Sequence, residues 1–345
     1  MASWRRWCAA LLALAACGDS ESVSTGGAGG SSNTGASSST GGSGGEDAQG
    51  GTAQGGTAQS GGAGGTSSEL CADAGPQTTR LRVASQCDEP IWIQSSENVD
   101  MDPVRLEPGG CYDVPIPETA LSATRFWPKV GCDDDGSNCK IGQSVAPCPA
   151  GGCQPPIDSK FEATWADPVN CPPTGGDANC VTWYNASQVD GYTLPFRIVP
   201  TRPGSSEPGC VVSDCAPLDL AQCPDAEDLS QNGQFPELSS VDLRILDPDD
   251  ETRVLGCLSP CKKLNYPAPW GEGMPENVSP ALEYCCPTPP IEPQVCSSGP
   301  VVETDFVNRL QAMCPSVYSY AYDDADGLHT CPAQTQFQVV FCPEQ

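Results

Sequence analysis

Histidine is almost absent from this chain of 345 residues. Its single histidine, His329, lies close to Cys331 at what resembles the start of a strand, so the chain offers no catalytic-looking histidine for a serine or cysteine hydrolase triad. The chain also has no Cys-x-x-Cys pair, so it lacks a typical set of three or four zinc ligands. The sequence therefore predicts neither a metal site nor a cofactor.

Basic side chains are also scarce: there are 16 lysines and arginines against 44 aspartates and glutamates, giving a formal net charge of −28. Nucleic acid and anionic lipid both need a basic surface, which this composition does not offer. We therefore expect no nucleic-acid partner, and membrane contact only through a lipid anchor. The acidity itself has two interpretations at this point, solubility or a functional acidic surface.

Aromatic residues make up only 6% of the chain, whereas cysteine occurs 22 times. A loop-rich domain with few aromatic residues needs covalent cross-links, and each disulfide bond contributes roughly 2–4 kcal/mol by restricting the unfolded chain. This many cysteines indicates an oxidising compartment and a disulfide framework.

The N-terminal segment predicts export and lipidation. Arg5 and Arg6 precede an apolar run at 8–16 that is too short to span a bilayer. The sequence LAAC at 14–17 resembles a bacterial lipobox, in which Cys17 is lipidated and becomes the new N-terminus. We predict a signal peptide with lipobox at 1–17; an ordinary signal peptide with Cys17 incidental is the alternative. The protein is expected to be extracytoplasmic, either lipid-anchored to a bacterial membrane (outer membrane or cell surface) or secreted.

A segment rich in glycine, serine and threonine follows at 18–69 and contains a GGTAQ repeat at 50–59. It has too few apolar residues to offset the entropy of ordering, so we expect a disordered linker. The folded domain is predicted over 70–345, with a cysteine-dense, disulfide-rich subdomain at 210–331.

Short alternating runs bounded by Gly, Pro and Asp predict strands at 80–83, 91–93, 112–116, 161–165 and 337–341. This pattern is typical of an all-β sandwich or barrel. The clearest helix is predicted over 302–313, where Phe306, Leu310 and Met313 share one face. The predicted fold class is thus mostly β, with a loop and helix region rich in disulfide bonds.

Several stretches resemble the thaumatin-like protein family: the C-terminal segment 314–343, EYCC at 283–286, VDGYTLPF at 189–196, and RFW at 125–127 leading to Cys132. The resemblance extends over nearly all of 79–343. It implies a flattened β-barrel or sandwich and eight disulfide bonds. These are Cys87–Cys342, Cys132–Cys139, Cys148–Cys153, Cys210–Cys331, Cys215–Cys314, Cys223–Cys257, Cys261–Cys285 and Cys286–Cys296.

Four further cysteines lie outside the family pattern. Proximity suggests Cys171–Cys180, and elimination then suggests Cys71–Cys111. The expected total is about ten disulfide bonds.

In the family, a cleft between the sandwich and the disulfide-rich region carries one basic and four acidic side chains. Matched by position, the resemblance places this set at Lys129, Glu162, Asn185, Asp190 and Asp323, with Asp324 beside the last. Lysine replaces the usual arginine, which loses bidentate hydrogen bonding. Asparagine replaces an aspartate, so the predicted acidic cleft has one negative charge fewer than the family pattern.

Paired carboxylates are the groups that glycoside hydrolysis requires. Glu162 would suit the acid if burial raises its pKa, and Asp190, on a polar turn, would suit the ionised partner. The aromatic residues that are candidate surfaces for stacking on sugar rings are Trp165, Trp183, Tyr184 and Tyr192.

The family is associated with β-1,3-glucans, so the resemblance implies that a monomer binds a β-1,3-glucan type of polysaccharide in the cleft. The alternatives are a weak endo-β-1,3-glucanase and a protein-binding inhibitor or recognition module. Two unusually long loops, 224–256 and 262–284, lie between Asp190 and Asp323 in the sequence. Long loops in compact domains are functional or disordered, and we predict that at least one borders the cleft.

Overall fold

The computed structural model describes residues 69–71, 73–146, 148, 152–172, 180–205 and 208–344. The predicted signal peptide, the lipidation site Cys17 and residues 18–68 of the predicted linker lie outside the described residues. Within the described part of the chain, no helix has the length and apolar character needed to cross a membrane.

Three sheets make up the β structure. In spatial order, the first comprises β1 (Glu69–Leu70), β5 (Gly110–Val114), β2 (Leu81–Ser85), β15 (Gln336–Phe341), β10 (Phe196–Thr201) and β11 (Ser213–Asp214). The second comprises β14 (His329–Pro332), β8 (Val181–Ser187), β7 (Lys160–Trp165), β6 (Leu121–Val130), β3 (Ile91–Ser95) and β4 (Val104–Leu106). The third comprises β12 (Arg244–Asp247), β13 (Asp250–Leu258) and β9 (Gly191–Tyr192). The β2–β15 pairing is parallel, and the others are antiparallel.

Among the described residues of the C-terminal half, five short helices are present: α1 (Pro260–Asn265), α2 (Ala281–Cys285), α3 (Pro293–Cys296), α4 (Asp305–Met313) and α5 (Asp324–Gly327). Helix α4 is the one predicted from the sequence, but it begins three residues later than expected. The reason is that Thr304 caps it, accepting a hydrogen bond from the Val307 N–H, after a 3₁₀ turn at Pro300–Glu303.

The core lies between the two six-stranded sheets. Side chains alternate along β7, so Phe161, Ala163 and Trp165 all point inward and are at most 1% exposed. Across the sandwich, the Phe337 ring of β15 lies 5.6 Å from Phe161 and 5.4 Å from Trp165, measured between ring centroids. The predicted mostly-β sandwich with a disulfide-rich region is confirmed.

Nine of the ten predicted disulfide bonds are present, namely the eight implied by the family resemblance together with Cys171–Cys180. The remaining pair differs from the prediction: Cys71 and Cys111 are free thiols in the structure. They are nevertheless neighbours, because the Cys71 side chain is in hydrogen-bond contact with Cys111.

Candidate functional site

The side of the second sheet opposite the core carries most of the predicted site. Arg125 on β6 lies opposite Glu162 on β7, and Glu162 lies opposite Asn185 on β8. Lys129 and Lys160 lie on the same side, because each is an even number of residues from these positions along its strand. We call these five residues, Arg125, Lys129, Lys160, Glu162 and Asn185, the charged face.

Glu162 is held by its two cross-strand neighbours. The Arg125 Nε lies 3.1 Å from Glu162 Oε1, and the Glu162 side chain is 11% exposed. Burial raises the pKa of Glu162 above its ordinary value, while the charges of Arg125 and Lys160 and a hydrogen bond from Asn185 oppose the rise. The Asn185 Oδ1 is buried and has no hydrogen-bond partner among the described residues.

Asp190 has a cation at each oxygen. The Lys160 Nζ lies 2.5 Å from Oδ2, and the Lys262 Nζ lies 3.2 Å from Oδ1. Burial alone would raise the pKa of Asp190, but these two lysines overcome it and hold the pKa well below its usual range. The carboxylate is therefore ionised at neutral pH, and both its oxygens are engaged.

The long loop 262–284 contacts this site. Lys262 is the first residue of the 262–284 loop and belongs to α1, whose N-cap residue Ser259 donates its N–H to the Asp190 carbonyl at 3.1 Å. The 224–256 loop ends just before Cys257 and Leu258 of β13, and these two residues pair with Tyr192 and Gly191 directly after Asp190. The prediction that at least one long loop borders the site is therefore met in the geometry.

Lys129 is not the cation that pairs with Glu162. Its charge interacts with Asp158, a fully buried aspartate whose Oδ1 has no hydrogen-bond partner in the described structure. Burial lowers the pKa of Lys129, and burial raises the pKa of Asp158 to about 7. The other oxygen of Asp158 accepts a long hydrogen bond of 3.4 Å from the Ser144 hydroxyl.

The two C-terminal aspartates have different positions. Asp323 is buried and accepts hydrogen bonds from the Ser319 N–H at 3.2 Å and hydroxyl at 2.7 Å, so it stabilises its own turn. Asp324 accepts a 2.6 Å hydrogen bond from the Tyr318 hydroxyl. Burial raises the pKa of Tyr318, and the charges of Asp324 and Glu162 raise it further, so Tyr318 lies within range of both carboxylates.

Two predicted aromatic ligands are in the core, which corrects the sequence-based assignment. Trp165 and Tyr192 are each 1% exposed. The Trp165 indole donates to the Thr124 hydroxyl, and Tyr192 stacks on Phe306. Trp165 is three residues from Glu162, and side chains separated by an odd number along a strand lie on opposite sides. Neither ring is available to stack on a sugar.

Tyr184 is likewise fully buried, against Phe337. Trp183 differs: it is partly exposed and lies two residues before Asn185, on the same side of β8. Of the four predicted stacking residues, it is the one that alternation places beside the charged face; the buried Trp127 lies on the same side, between Arg125 and Lys129.

The sequence-based site lacked Arg125, Lys160, Lys262 and Asp158. Lys160 had a local signal, since it lies two residues before Glu162 and therefore on the same side of the strand. Lys262 had none, because its approach to Asp190 depends on the long-range packing of α1. With these residues included, cations and carboxylates alternate at the site. The predicted acidic cleft therefore carries both positive and negative charges.

The arrangement offers hydrogen-bond donors from arginine and lysine beside acceptors from glutamate and asparagine. Hydroxyl-rich ligands match such a set, since each hydroxyl both donates and accepts. Within the described residues, no group of three or more His, Cys, Asp and Glu side chains is placed to hold a metal ion.

The sequence profile described as Thaumatin family matches residues 85–343. The chain belongs to the thaumatin family. A protein of Prunus avium named glucan endo-1,3-beta-glucosidase is 29% identical over 239 residues, covering 67% of this chain and 74% of the relative. Thaumatin-like protein 1 of Pyrus pyrifolia is 27% identical over 285 residues, covering 79% of this chain and 95% of the relative. Among solved structures, a thaumatin-like xylanase inhibitor aligns over 77% of this chain and 100% of its own, at 11% identity and a TM-score of 0.31.

Proposed function

We propose that this chain binds a polysaccharide of the β-1,3-glucan type at the charged face, without hydrolysing it. The observation that carries the proposal is the Glu162–Asn185 pair, which lies on the side of β7 and β8 away from the core. The Asn185 Oδ1 has no hydrogen-bond partner in the described part of the chain, and a buried acceptor of this kind is normally satisfied by a ligand or a water. A sugar hydroxyl can accept from Arg125, whose side chain is 25% exposed, and donate to Glu162, whose side chain is 11% exposed.

The choice of polymer is supported by the Prunus avium relative, whose name states an action on 1,3-β-glucan. Trp183 adds an aromatic surface next to the hydrogen-bonding pair. Binding sites for small and oligomeric ligands typically combine such an apolar surface with a few placed polar groups.

A hydrolase is the second candidate, and one observation favours it. The pKa of Glu162 is raised and that of Asp190 is lowered, the pattern expected of a proton donor and its ionised partner. Binding alone is better supported, because both Asp190 oxygens are held by Lys160 and Lys262. A nucleophile or base must present a free oxygen to the sugar or to a water.

We also propose that the domain is tethered outside the cytoplasm, with residues 1–17 as the signal peptide, Cys17 as the lipidated residue and 18–69 as the linker. The nine disulfide bonds support an oxidising, extracytoplasmic compartment. Metabolic labelling with an alkynyl fatty acid tests the anchor: the wild-type chain should be labelled and the Cys17→Ser variant should not. Equal labelling of both would contradict the assignment.

Sedimentation with insoluble β-1,3-glucan tests the binding. The full chain is compared with Glu162→Gln and with Glu237→Gln, a matched change at an exposed glutamate on a 3₁₀ turn far along the chain. Loss of a hydrogen bond to a charged group costs about 1.5–3 kcal/mol, so Glu162→Gln should weaken binding by about tenfold or more. Glu237→Gln should bind like the wild type.

Two results would overturn this function. Equal retention of all three proteins would place the binding surface elsewhere, and no retention of the wild type would favour a protein ligand instead. Circular dichroism of each variant confirms that a loss of binding is not a loss of fold.

A further inference from the structure

A short segment before β2 is held by hydrogen bonds to β2 and β5 of the first sheet. We call residues 73–79 the strap. The Thr78 N–H and hydroxyl each donate to Asp113 Oδ2 at 2.9 Å, and Arg82 Nη1 donates to the Gly75 carbonyl at 3.1 Å. Arg82 also forms an ion pair with Asp113 at 2.5 Å. One arginine and one aspartate on adjacent strands therefore hold the strap by polar contacts.

The two free cysteines lie where the chain enters the strap. Cys71 follows the two-residue strand β1, and its N–H donates to the Gly109 carbonyl at 2.9 Å. Cys111 lies on β5, opposite Glu69 on one side and Ala84 on the other, and is 4% exposed. The two side chains are in hydrogen-bond contact. They thus form a vicinal dithiol in a domain whose other described cysteines are all disulfide-bonded.

We propose that Cys71 and Cys111 are a redox pair whose oxidation covalently links the start of the strap to β5. Cys71 is the more exposed thiol, so its thiolate attacks a sulfur of an external disulfide, such as glutathione disulfide. A mixed disulfide forms and one glutathione leaves. The Cys111 thiolate then displaces the second glutathione, so two thiols become one disulfide while the oxidant is reduced to two thiols.

The chemistry of Cys71 makes this closure slow at neutral pH. Burial raises the pKa of the Cys71 thiol to about 12; its contact with Cys111 and the charge of Asp113 act in the same direction, and Arg82 opposes them. Only the thiolate attacks a disulfide. The rate at which the Cys71–Cys111 bond forms should therefore rise about tenfold per pH unit between pH 7 and pH 9. This dependence distinguishes the pair from the nine disulfide bonds already present.

The bond would matter because β1 is held weakly. Within the described part of the chain, its register with β5 comprises two residue pairs, Glu69 with Cys111 and Leu70 with Gly110. Short edge strands of this kind fray readily, and local opening of such segments occurs far below the free energy of global unfolding. A covalent link between Cys71 and β5 would keep β1 and the strap on the sheet.

Peptide mapping of the full chain tests the proposal. The protein is incubated with glutathione disulfide at pH 8, alkylated with N-ethylmaleimide and digested without reduction, so that each cysteine is scored separately. We expect a cross-linked peptide containing Cys71 and Cys111, with no alkylation at either. In the Cys71→Ser variant, Cys111 should stay a free thiol and be alkylated by N-ethylmaleimide. Thiols that stay free at both positions, or a bond from Cys71 to any other cysteine or to a second chain, would overturn the proposal.

Hydrogen exchange provides the second measurement. Amides of the strap and of β1 should exchange at least about tenfold more slowly in the oxidised than in the dithiol form, whereas amides of β15 should not change. A closed bond without slower exchange would refute the fastening role.

Discussion

Asp190 links the candidate site to the stability of the domain, and replacing it by asparagine provides the sharpest structural test. The carboxylate is 22% exposed and contacts Lys160 and Lys262, which are 7% and 11% exposed. Removing one partner of a buried ion pair costs about 3–5 kcal/mol, because the other charge is left buried and uncompensated. Since Asp190 retains some exposure, we expect the lower end, a loss of about 3 kcal/mol in the free energy of unfolding.

A matched control exists at Asp214, whose Oδ2 lies 3.0 Å from the Arg197 Nε in a pair that is 32% and 46% exposed. Exposed pairs contribute about 0–1 kcal/mol, so Asp214→Asn should have little effect. Both variants are compared with the wild type by guanidinium unfolding at pH 7 with the disulfide bonds intact. A loss for Asp190→Asn within about 1 kcal/mol of that for Asp214→Asn would refute the reasoning.

The pH dependence of this effect has a defined sign. The pKa of Asp190 is lower in the folded than in the unfolded protein, so its stabilisation is complete above the unfolded value of about 4 and is lost as the pH falls below it. The difference between wild type and Asp190→Asn should therefore be full at pH 7 and shrink in acid. Adding Lys160→Met to Asp190→Asn should recover part of the loss, because one buried charge is removed.

Three further predictions concern Asp158, Gly191 and Asn185, with Gly204 as the control for Gly191. Because the folded pKa of Asp158 is raised to about 7, its ionisation destabilises the fold. Asp158→Asn should therefore raise the thermal midpoint at pH 8, with a gain of up to about 4 kcal/mol in the free energy of unfolding, but should have no such effect at pH 4. Gly191 has a φ of +136°, and a Cβ there would lie 2.2 Å from a carbonyl oxygen, so Gly191→Ala should destabilise by more than about 2 kcal/mol. Gly204→Ala, where φ is +77° and nothing lies within 4 Å, should cost only about 1–2 kcal/mol in the same unfolding assay. Asn185→Asp places a second carboxylate beside Glu162, so glucan binding should be lost at a higher pH during an acid titration.

The cysteines allowed much of the fold to be predicted from the sequence. The order of the cysteines carries the family resemblance. That resemblance implies eight disulfide bonds, between both distant and nearby residues, and the β-sandwich. Cys171–Cys180 could be added by proximity alone. Elimination was a weaker guide for Cys71 and Cys111, since an even number of cysteines says nothing about the oxidation state of the last two.

The site was less predictable, for two physical reasons. Glu162 and Asn185 could be located because strand alternation and the family motif agree there, but choosing Trp165 ignored the same alternation, which places it in the core. Lys262 could not be found at all, because its partner Asp190 lies about 70 residues earlier and only the packing of α1 brings the two together. Local patterns specify which side of a strand a residue occupies, while ion pairs between distant segments depend on the whole fold.

The most direct test of the proposed function is a calorimetric titration of the full chain with a soluble β-1,3-glucan oligosaccharide, with the same samples assayed for new reducing ends. Binding at the charged face predicts saturable heat that Glu162→Gln diminishes and Glu237→Gln preserves, with no reducing ends released by any of the three proteins. Release of reducing ends that disappears in Glu162→Gln would instead identify a glycosidase, and an absence of heat in the wild type would contradict glucan binding altogether.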